Sequence, residues 1–229
     1  MNIHGLQKMT LLDYPGVVAC TVFLGGCDFR CPYCHNAELL DPGFPPLMDD
    51  GELLAFLRKR QGLLDGVAVT GGEPLLQPEL PGLLRSIRAL GYRIKLDTNG
   101  SQPARLKAIL DEGLADYVAM DVKNSPERYG LTVGREDFDV GPIRQSVRLL
   151  MEGPTDYEFR TTAVAELHDD DSFRAIAEWI AGARRYYIQP FTDRETVPVA
   201  GLSAPDRESL ERWAAIVRAS VPETHLRGI

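Results

Sequence analysis

Six short apolar runs alternate with six longer amphipathic stretches, and this alternation limits the fold more than any other feature of the chain. The runs cover 17–24, 67–70, 92–97, 117–123, 157–164 and 186–190. They are rich in Val, Ile, Tyr and Phe, and several are nearly continuous, as strands covered on both faces must be. The amphipathic stretches cover 51–60, 79–90, 103–112, 142–151, 170–181 and 205–220. In the first, Leu53, Leu54, Phe56 and Leu57 share one side. Each opens on helix-start chemistry, such as Asp49-Asp50, Gln77-Pro78-Glu79, Ser101-Gln102-Pro103 and Asp169-Asp170-Asp171. Gly62, Gly91, Gly113, Gly153 and Gly182 follow the first five and are expected to close them as left-handed C′ residues. Right-handed βα repetition either curls into a whole or partial barrel or opens into a doubly wound sheet.

Composition removes several classes of function. Hydrophobic residues are 44% and charged residues 25% of the 229, which is globular and not disordered. Scaling gives roughly 10,000 Å² of folded surface for a chain of this size, enough for one sizeable core. One domain over 1–229 is expected. The formal net charge of −8 and the lack of a basic stripe argue against nucleic acid as a partner. Arg58-Lys59-Arg60 is a short run that reads as a solvated helix face. The N-terminal residues carry no basic segment leading to an apolar one, and no apolar run is long enough to span a bilayer. A cytoplasmic protein with no membrane partner is expected.

Polar residues gather where the apolar runs end: Leu24-Gly25-Gly26-Cys27, Thr70-Gly71-Gly72-Glu73, Leu96-Asp97-Thr98-Asn99-Gly100, Asp121-Val122-Lys123 and Gln189-Pro190. In parallel α/β folds that edge of the sheet carries the active site. Three of the four cysteines sit in one of these ends, as Cys27-x3-Cys31-x2-Cys34. Four cysteines so distributed do not make a disulfide framework. A zinc site would need a fourth ligand. His35 adjoins Cys34 and cannot easily reach the same ion, and Cys20, between Val18 and Val22, reads as a buried structural thiol. Three thiolates on an iron–sulfur cluster would leave one iron open for chemistry.

Cys27-x3-Cys31-x-Tyr33-Cys34 resembles the signature of the radical S-adenosylmethionine (SAM) enzymes, and Gly71-Gly72-Glu73-Pro74 resembles their second signature. The resemblance implies a partial (β/α)6 TIM-like barrel with a mostly parallel sheet. It implies a 4Fe–4S cluster on Cys27, Cys31 and Cys34, with SAM on the fourth iron and beside Tyr33, Gly71, Gly72 and Glu73. An electron from the reduced cluster cleaves SAM to a 5′-deoxyadenosyl radical in that family.

Further segments resemble the activating enzymes of glycyl-radical enzymes: Leu12-Asp13-Tyr14-Pro15-Gly16, Cys34-His35-Asn36, Lys95-Leu96-Asp97-Thr98-Asn99-Gly100 and Met120-Asp121-Val122-Lys123. The likeness thins beyond Lys123. It implies that Asn36, Asp97, Lys123 and Arg160 contact SAM, and that Asp97, Thr98 and Asp121 hold a monovalent cation beside its carboxylate. Without the resemblance, Asp97-Thr98-Asn99-Gly100 reads as a turn and Arg160 as an ion-pairing residue. One departure is Gln189-Pro190-Phe191-Thr192, where the pyruvate formate-lyase activating enzyme has a histidine in place of Thr192. The chain also lacks the extra cysteines of a ferredoxin-like insert. Compact length and the Asp-Tyr-Pro-Gly variant look most like activators of anaerobic ribonucleoside-triphosphate reductase, with flavodoxin or ferredoxin as electron donor. The alternatives are a pyruvate formate-lyase type activator and a small-molecule enzyme resembling 7-carboxy-7-deazaguanine synthase. A non-enzymatic iron–sulfur module is a third. The synthase group tends to show Cys-Asp-Thr where this chain has Cys34-His35-Asn36.

Overall fold

A computed structural model describes residues 1–229. The chain begins with strands β1 (Asn2–Ile3), β2 (Gly5–Thr10) and β3 (Ala19–Leu24), followed by β4 (Met48–Asp49) and helix α1 (Asp50–Arg60). Strands and helices then alternate: β5 (Gly66–Gly71), α2 (Leu80–Ala89), β6 (Arg93–Thr98), α3 (Pro103–Asp111) and β7 (Tyr117–Asp121). The remainder is α4 (Tyr129–Val133), α5 (Gly141–Glu152), β8 (Asp156–Ala163), α6 (Asp170–Trp179), β9 (Tyr186–Pro190), α7 (Arg207–Arg218) and β10 (Thr224–Leu226). The eight-stranded main sheet has the order β10-β9-β8-β7-β6-β5-β3-β2. Every pair from β3 to β10 is parallel; only β2 runs antiparallel, on β3. The ends β2 and β10 are not bonded to each other, so the sheet is an open barrel, as expected for the α/β class.

All six expected strands are present, and all six expected helices match within a few residues. The sheet gains two edge strands beyond the six. β2 carries Gln7, Lys8 and Met9 to solvent, and an edge strand has no second neighbour to demand apolar alternation. β10 is three residues long. One expected helix end is corrected: Gly153 has φ −82° and ψ 164°, so α5 ends in extended backbone rather than in a left-handed glycine. Gly62, Gly91, Gly113 and Gly182 do have positive φ.

Local chemistry sets the helix starts. Asp49 accepts from the Glu52 N–H at 2.8 Å, and Glu52 accepts from the Asp49 N–H at 3.0 Å, a capping box that begins α1. Asp169 and Ser172 do the same for α6. Strand alternation then divides the side chains into two sets. Cys20, Val22 and Leu24 of β3 join the large core with Leu53, Leu57, Leu84 and Ile87 of the surrounding helices. Burying each such Leu stabilises the fold by about 1.5–3 kcal/mol. The other residues of the strands face the barrel lumen, whose floor is a separate small cluster of Tyr14, Val17, Ala19, Tyr117 and Ala119. Tyr14 and Tyr117 meet there with ring centroids 6.1 Å apart. The floor closes one end of the lumen, so the polar strand ends open at the other.

Candidate active site

The cysteine segment leaves β3 through Gly25 and Gly26 and is held from several sides. Gly26 N–H donates to Leu39 O at 2.7 Å, and Arg30 N–H donates to Val133 O at 2.8 Å. The Gly71-Gly72 turn packs directly on its root. A Cβ on Gly71 would lie 2.1 Å from Leu24 O, and one on Gly72 would lie 2.0 Å from Gly26 O. These glycines are therefore needed for backbone-to-backbone approach inside the protein. Glu73 N–H extends the same joint by donating to Gly26 O at 2.8 Å.

Glu73 itself turns away from the cavity and is fully buried. Its carboxylate accepts from the Asn99 N–H at 2.6 Å, the Thr98 hydroxyl at 2.8 Å and the Leu75 N–H at 3.0 Å. It thus ties the end of β5 to the end of β6. Burial pushes this carboxyl up to about 7 against the pull of those donors. The Glu73 carboxylate thus holds the strand ends together, while Gly71 and Gly72 of the same turn line the cavity.

A cavity of about 210 Å³ opens at the strand ends. Cys27, Cys31, Tyr33, Cys34 and Asn36 line one side of it, and Gly71 and Gly72 another. Asp97, Thr98, Asp121, Lys123 and Arg160 complete it from β6, β7 and β8. Apart from Glu73, every residue the sequence nominates for the site is on this wall. Cys20 is not, because its position on β3 sends it outward into the helix-facing core.

All four cysteines are free. Burial pushes the Cys27 thiol up to about 12 and the Cys31 thiol up to about 11, so both are protonated at neutral pH until a metal displaces the proton. No three His, Cys, Asp or Glu side chains converge as a single ion would require. Zinc needs its ligands about 2.3 Å from one point. Three free thiols on one cavity are available to a multi-iron cluster, in which each would ligate a different iron. Asn99, not nominated from residue order, supports this wall. Its side-chain amide donates to Asp28 Oδ1 at 2.9 Å and lies 3.7 Å from Cys27 Sγ.

Opposite the cysteines runs a chain of alternating charge. Lys95 pairs with Asp97 Oδ1, and Arg160 Nη2 lies 3.1 Å from Asp97 Oδ2. Arg160 Nε lies 2.6 Å from Asp121 Oδ1, and Lys123 Nζ 2.8 Å from Asp121 Oδ2. Burial alone would raise the Asp97 carboxyl, but Arg160 and Lys95 hold it below its ordinary value. Asp121 is likewise held down by Arg160 and Lys123 against burial. Burial would lower Lys123 and Arg160, yet Asp121 holds both well above their ordinary values. Asp97, Asp121, Lys123 and Arg160 are thereby held in their charged forms at neutral pH.

Asp97, Thr98 and Asp121, implied to hold a monovalent cation, lie together on the cavity wall. All four carboxylate oxygens already meet side-chain cations. The Thr98 hydroxyl donates to Glu73 and accepts from the Gly100 N–H at 3.1 Å.

Two more side chains, Thr162 and His168, are not marked out by residue order. Thr162 and Gln189 also line the cavity. Thr162 is two residues beyond Arg160 and so shares its face, a signal that strand parity carries. His168 is buried outside the cavity. Its Nε2 lies 2.9 Å from the Lys123 carbonyl, which can only accept, so the neutral ring carries its proton there and Nδ1 accepts from the Val164 N–H at 3.1 Å. Thr192 has no imidazole, but its carbonyl lies 2.7 Å from His35 Nε2, and His35 stacks on Phe191 with centroids 5.7 Å apart. The segment after β9 thereby lies against the cysteine loop.

Residues 21–180 match the sequence model of the radical SAM superfamily. The chain belongs to this superfamily. Two radical SAM relatives align over most of their length. A Methanocaldococcus jannaschii protein named "Putative glycyl-radical enzyme activating enzyme MJ1227" is 27% identical, over 99% of this chain and 96% of that one. The 7-carboxy-7-deazaguanine synthase of Methanopyrus kandleri is 29% identical over 89% of this chain and 83% of its own. In fold, the chain resembles a domain of the pyruvate-formate lyase-activating enzyme from Bacteroides vulgatus. The TM-score is 0.59 at 19% identity, covering 71% of this chain and 99% of that one. The radical SAM family brings a 4Fe–4S cluster and SAM, and the free thiols and polar wall described above suit them.

Proposed function

We propose that this radical SAM enzyme activates a glycyl-radical enzyme. The observation that carries the reading is the alignment with the M. jannaschii activating-enzyme relative along nearly the full length of both chains. Cys27, Cys31 and Cys34 would hold three irons of the cluster. When bound, the cluster supplies the electron that cleaves SAM to methionine and a 5′-deoxyadenosyl radical. Arg160 and Lys123 face the cavity as the cations that would meet the SAM carboxylate, and Asn36 and Tyr33 line the same cavity. Asn36 is fixed by donating to Gly71 O at 3.4 Å. The radical would then take a hydrogen atom from a glycine Cα of the partner, leaving 5′-deoxyadenosine and a glycyl radical. Glycine suits this step because its Cα radical is stabilised from both sides and no side chain blocks approach.

Anaerobic ribonucleoside-triphosphate reductase is the proposed partner, with a flavodoxin or ferredoxin as electron donor in the cytoplasm. No helix is long and apolar enough to cross a membrane. The deazaguanine synthase relative keeps a second reading alive, in which the hydrogen comes from a small molecule. His35-Asn36 after Cys34 supports the first reading.

Anaerobic reconstitution, then mixing with SAM, reductant and candidate glycyl-radical enzymes, tests the proposal by electron paramagnetic resonance. A glycyl doublet on the reductase supports it. SAM cleavage without a doublet on any candidate would transfer support to the small-molecule reading. A protein that takes up about four irons yet never cleaves SAM would sink both.

A further inference from the structure

Lys95 is a buried ammonium with no part in the proposed chemistry. It is 2% exposed and lies in the lumen outside the set of cavity-lining residues. It stands two residues before Asp97 on β6, so both side chains take the same face, and its ammonium pairs with the Asp97 carboxylate. A lone cation buried this deeply would be strongly unfavourable, so Lys95 depends on that partner. Asp97 in turn reaches the cavity wall.

The carboxylates of Asp97 and Asp121 together meet three side-chain cations, Lys95, Arg160 and Lys123. The group therefore carries one excess positive charge before any ligand arrives. An alkali ion between the carboxylates would be repelled, and the Thr98 hydroxyl is committed elsewhere. A ligand carboxylate would be attracted.

We propose that Lys95 is a built-in monovalent cation. Its ammonium fills at Asp97 the electrostatic role a bound alkali ion would fill, so SAM docks on Arg160 and Lys123 without K⁺ or Na⁺. The proposal rests on the SAM reading of the cavity. It makes Lys95 a positioning residue that acts through Asp97.

The test uses reconstituted protein in KCl, NaCl or choline chloride at equal ionic strength, with SAM affinity read by calorimetry and melting temperature read in parallel. Wild-type affinity and melting should be the same in all three salts. Lys95→Met keeps the stem and removes the charge. It should bind SAM about tenfold more weakly in choline and recover in KCl or NaCl, a coupling of ordinary size between two ligands. Its melting temperature should rise by about 2–4 °C when K⁺ or Na⁺ replaces choline, as linkage to a newly bound ion requires. Lys95→Arg should stay independent of the salt. Tighter SAM binding or higher melting of the wild type in K⁺ or Na⁺ than in choline would overturn the proposal. So would a Lys95→Met protein that binds SAM with wild-type affinity in choline. If Lys95→Met does not fold, the wild-type salt comparison alone decides. If SAM binds in no salt, the functional reading fails, while the melting comparison still decides the role of Lys95.

Discussion

The strands of the barrel carry two kinds of face. Cys20, Val22 and Leu24 look outward and vanish among the helix leucines, while Lys95, Asp97, Asp121 and Arg160 look inward and hold each other by charge. The outer contacts are many and interchangeable. The inner ones are few, and each residue has one or two named partners. Damage outside should therefore reduce stability and spare chemistry in the molecules still folded. Damage inside should reduce chemistry first, except where it strands a charge.

Four changes would break or sharpen that contrast. The largest effect is expected from Cys31→Ala: reductive SAM cleavage should disappear and iron per chain should fall, with little change in the urea midpoint of the metal-free chain. Chromatographic assay of 5′-deoxyadenosine alongside an iron assay reads both; continued cleavage would remove Cys31 from the ligand set. Arg160→Met comes next and crosses the boundary between the two faces. It leaves Asp97 and Asp121 with a partner lost on each, so about 3–5 kcal/mol of stability should go along with SAM binding. A urea melt showing no loss would mean that Lys95 and Lys123 suffice. Leu57→Ala on the outer face should lose about 2–5 kcal/mol, with turnover per folded molecule unchanged. The smallest effect belongs to Cys20→Ala, about 1 kcal/mol with iron content intact. Iron lost in proportion to one ligand would bring Cys20 back to the cluster.

Two buried groups beyond the strand ends, His168 and Glu73, respond to pH in opposite directions. Burial lowers the pKa of His168, so the folded state binds fewer protons than the unfolded chain near and below 6.5. Its contribution is present above 6.5 and is lost as pH falls, and acid should loosen the hold on the Lys123 carbonyl. Glu73 runs the other way. Its carboxyl stands at about 7 against an ordinary 4.5, so its contribution is complete below 4.5 and is lost as pH rises through 7. Replacing His168 with Gln should flatten the acid limb of the stability curve and leave the neutral limb alone.

Much of this was legible from residue order. Apolar runs bounded by Gly and Asp placed six strands, because a parallel sheet under helices needs continuous burial. The cysteine spacing and the strand-end Asp97, Asp121 and Lys123 placed the cavity, because strand ends converge in such a fold. What was not legible depends on direction rather than position. The Glu73 carboxylate points into protein, since donors from the end of β6 and from its own turn capture it. Asn99 and His168 act on the site through hydrogen bonds to residues distant in sequence, which no local pattern announces. Lys95 read as part of a motif string, while its burial and its partner appear only with the fold.

The meeting of Gly71 and Gly72 with the backbone of Leu24 and Gly26 has an evolutionary consequence. Two segments separated by some forty residues of chain share one steric constraint, so neither can drift alone. A side chain at Gly72 would displace the root of the cysteine loop before it disturbed any small molecule. Its first symptom would be a protein that cannot keep its metal. The two sequence signatures of this site would then be inherited together as halves of a single hinge-free joint.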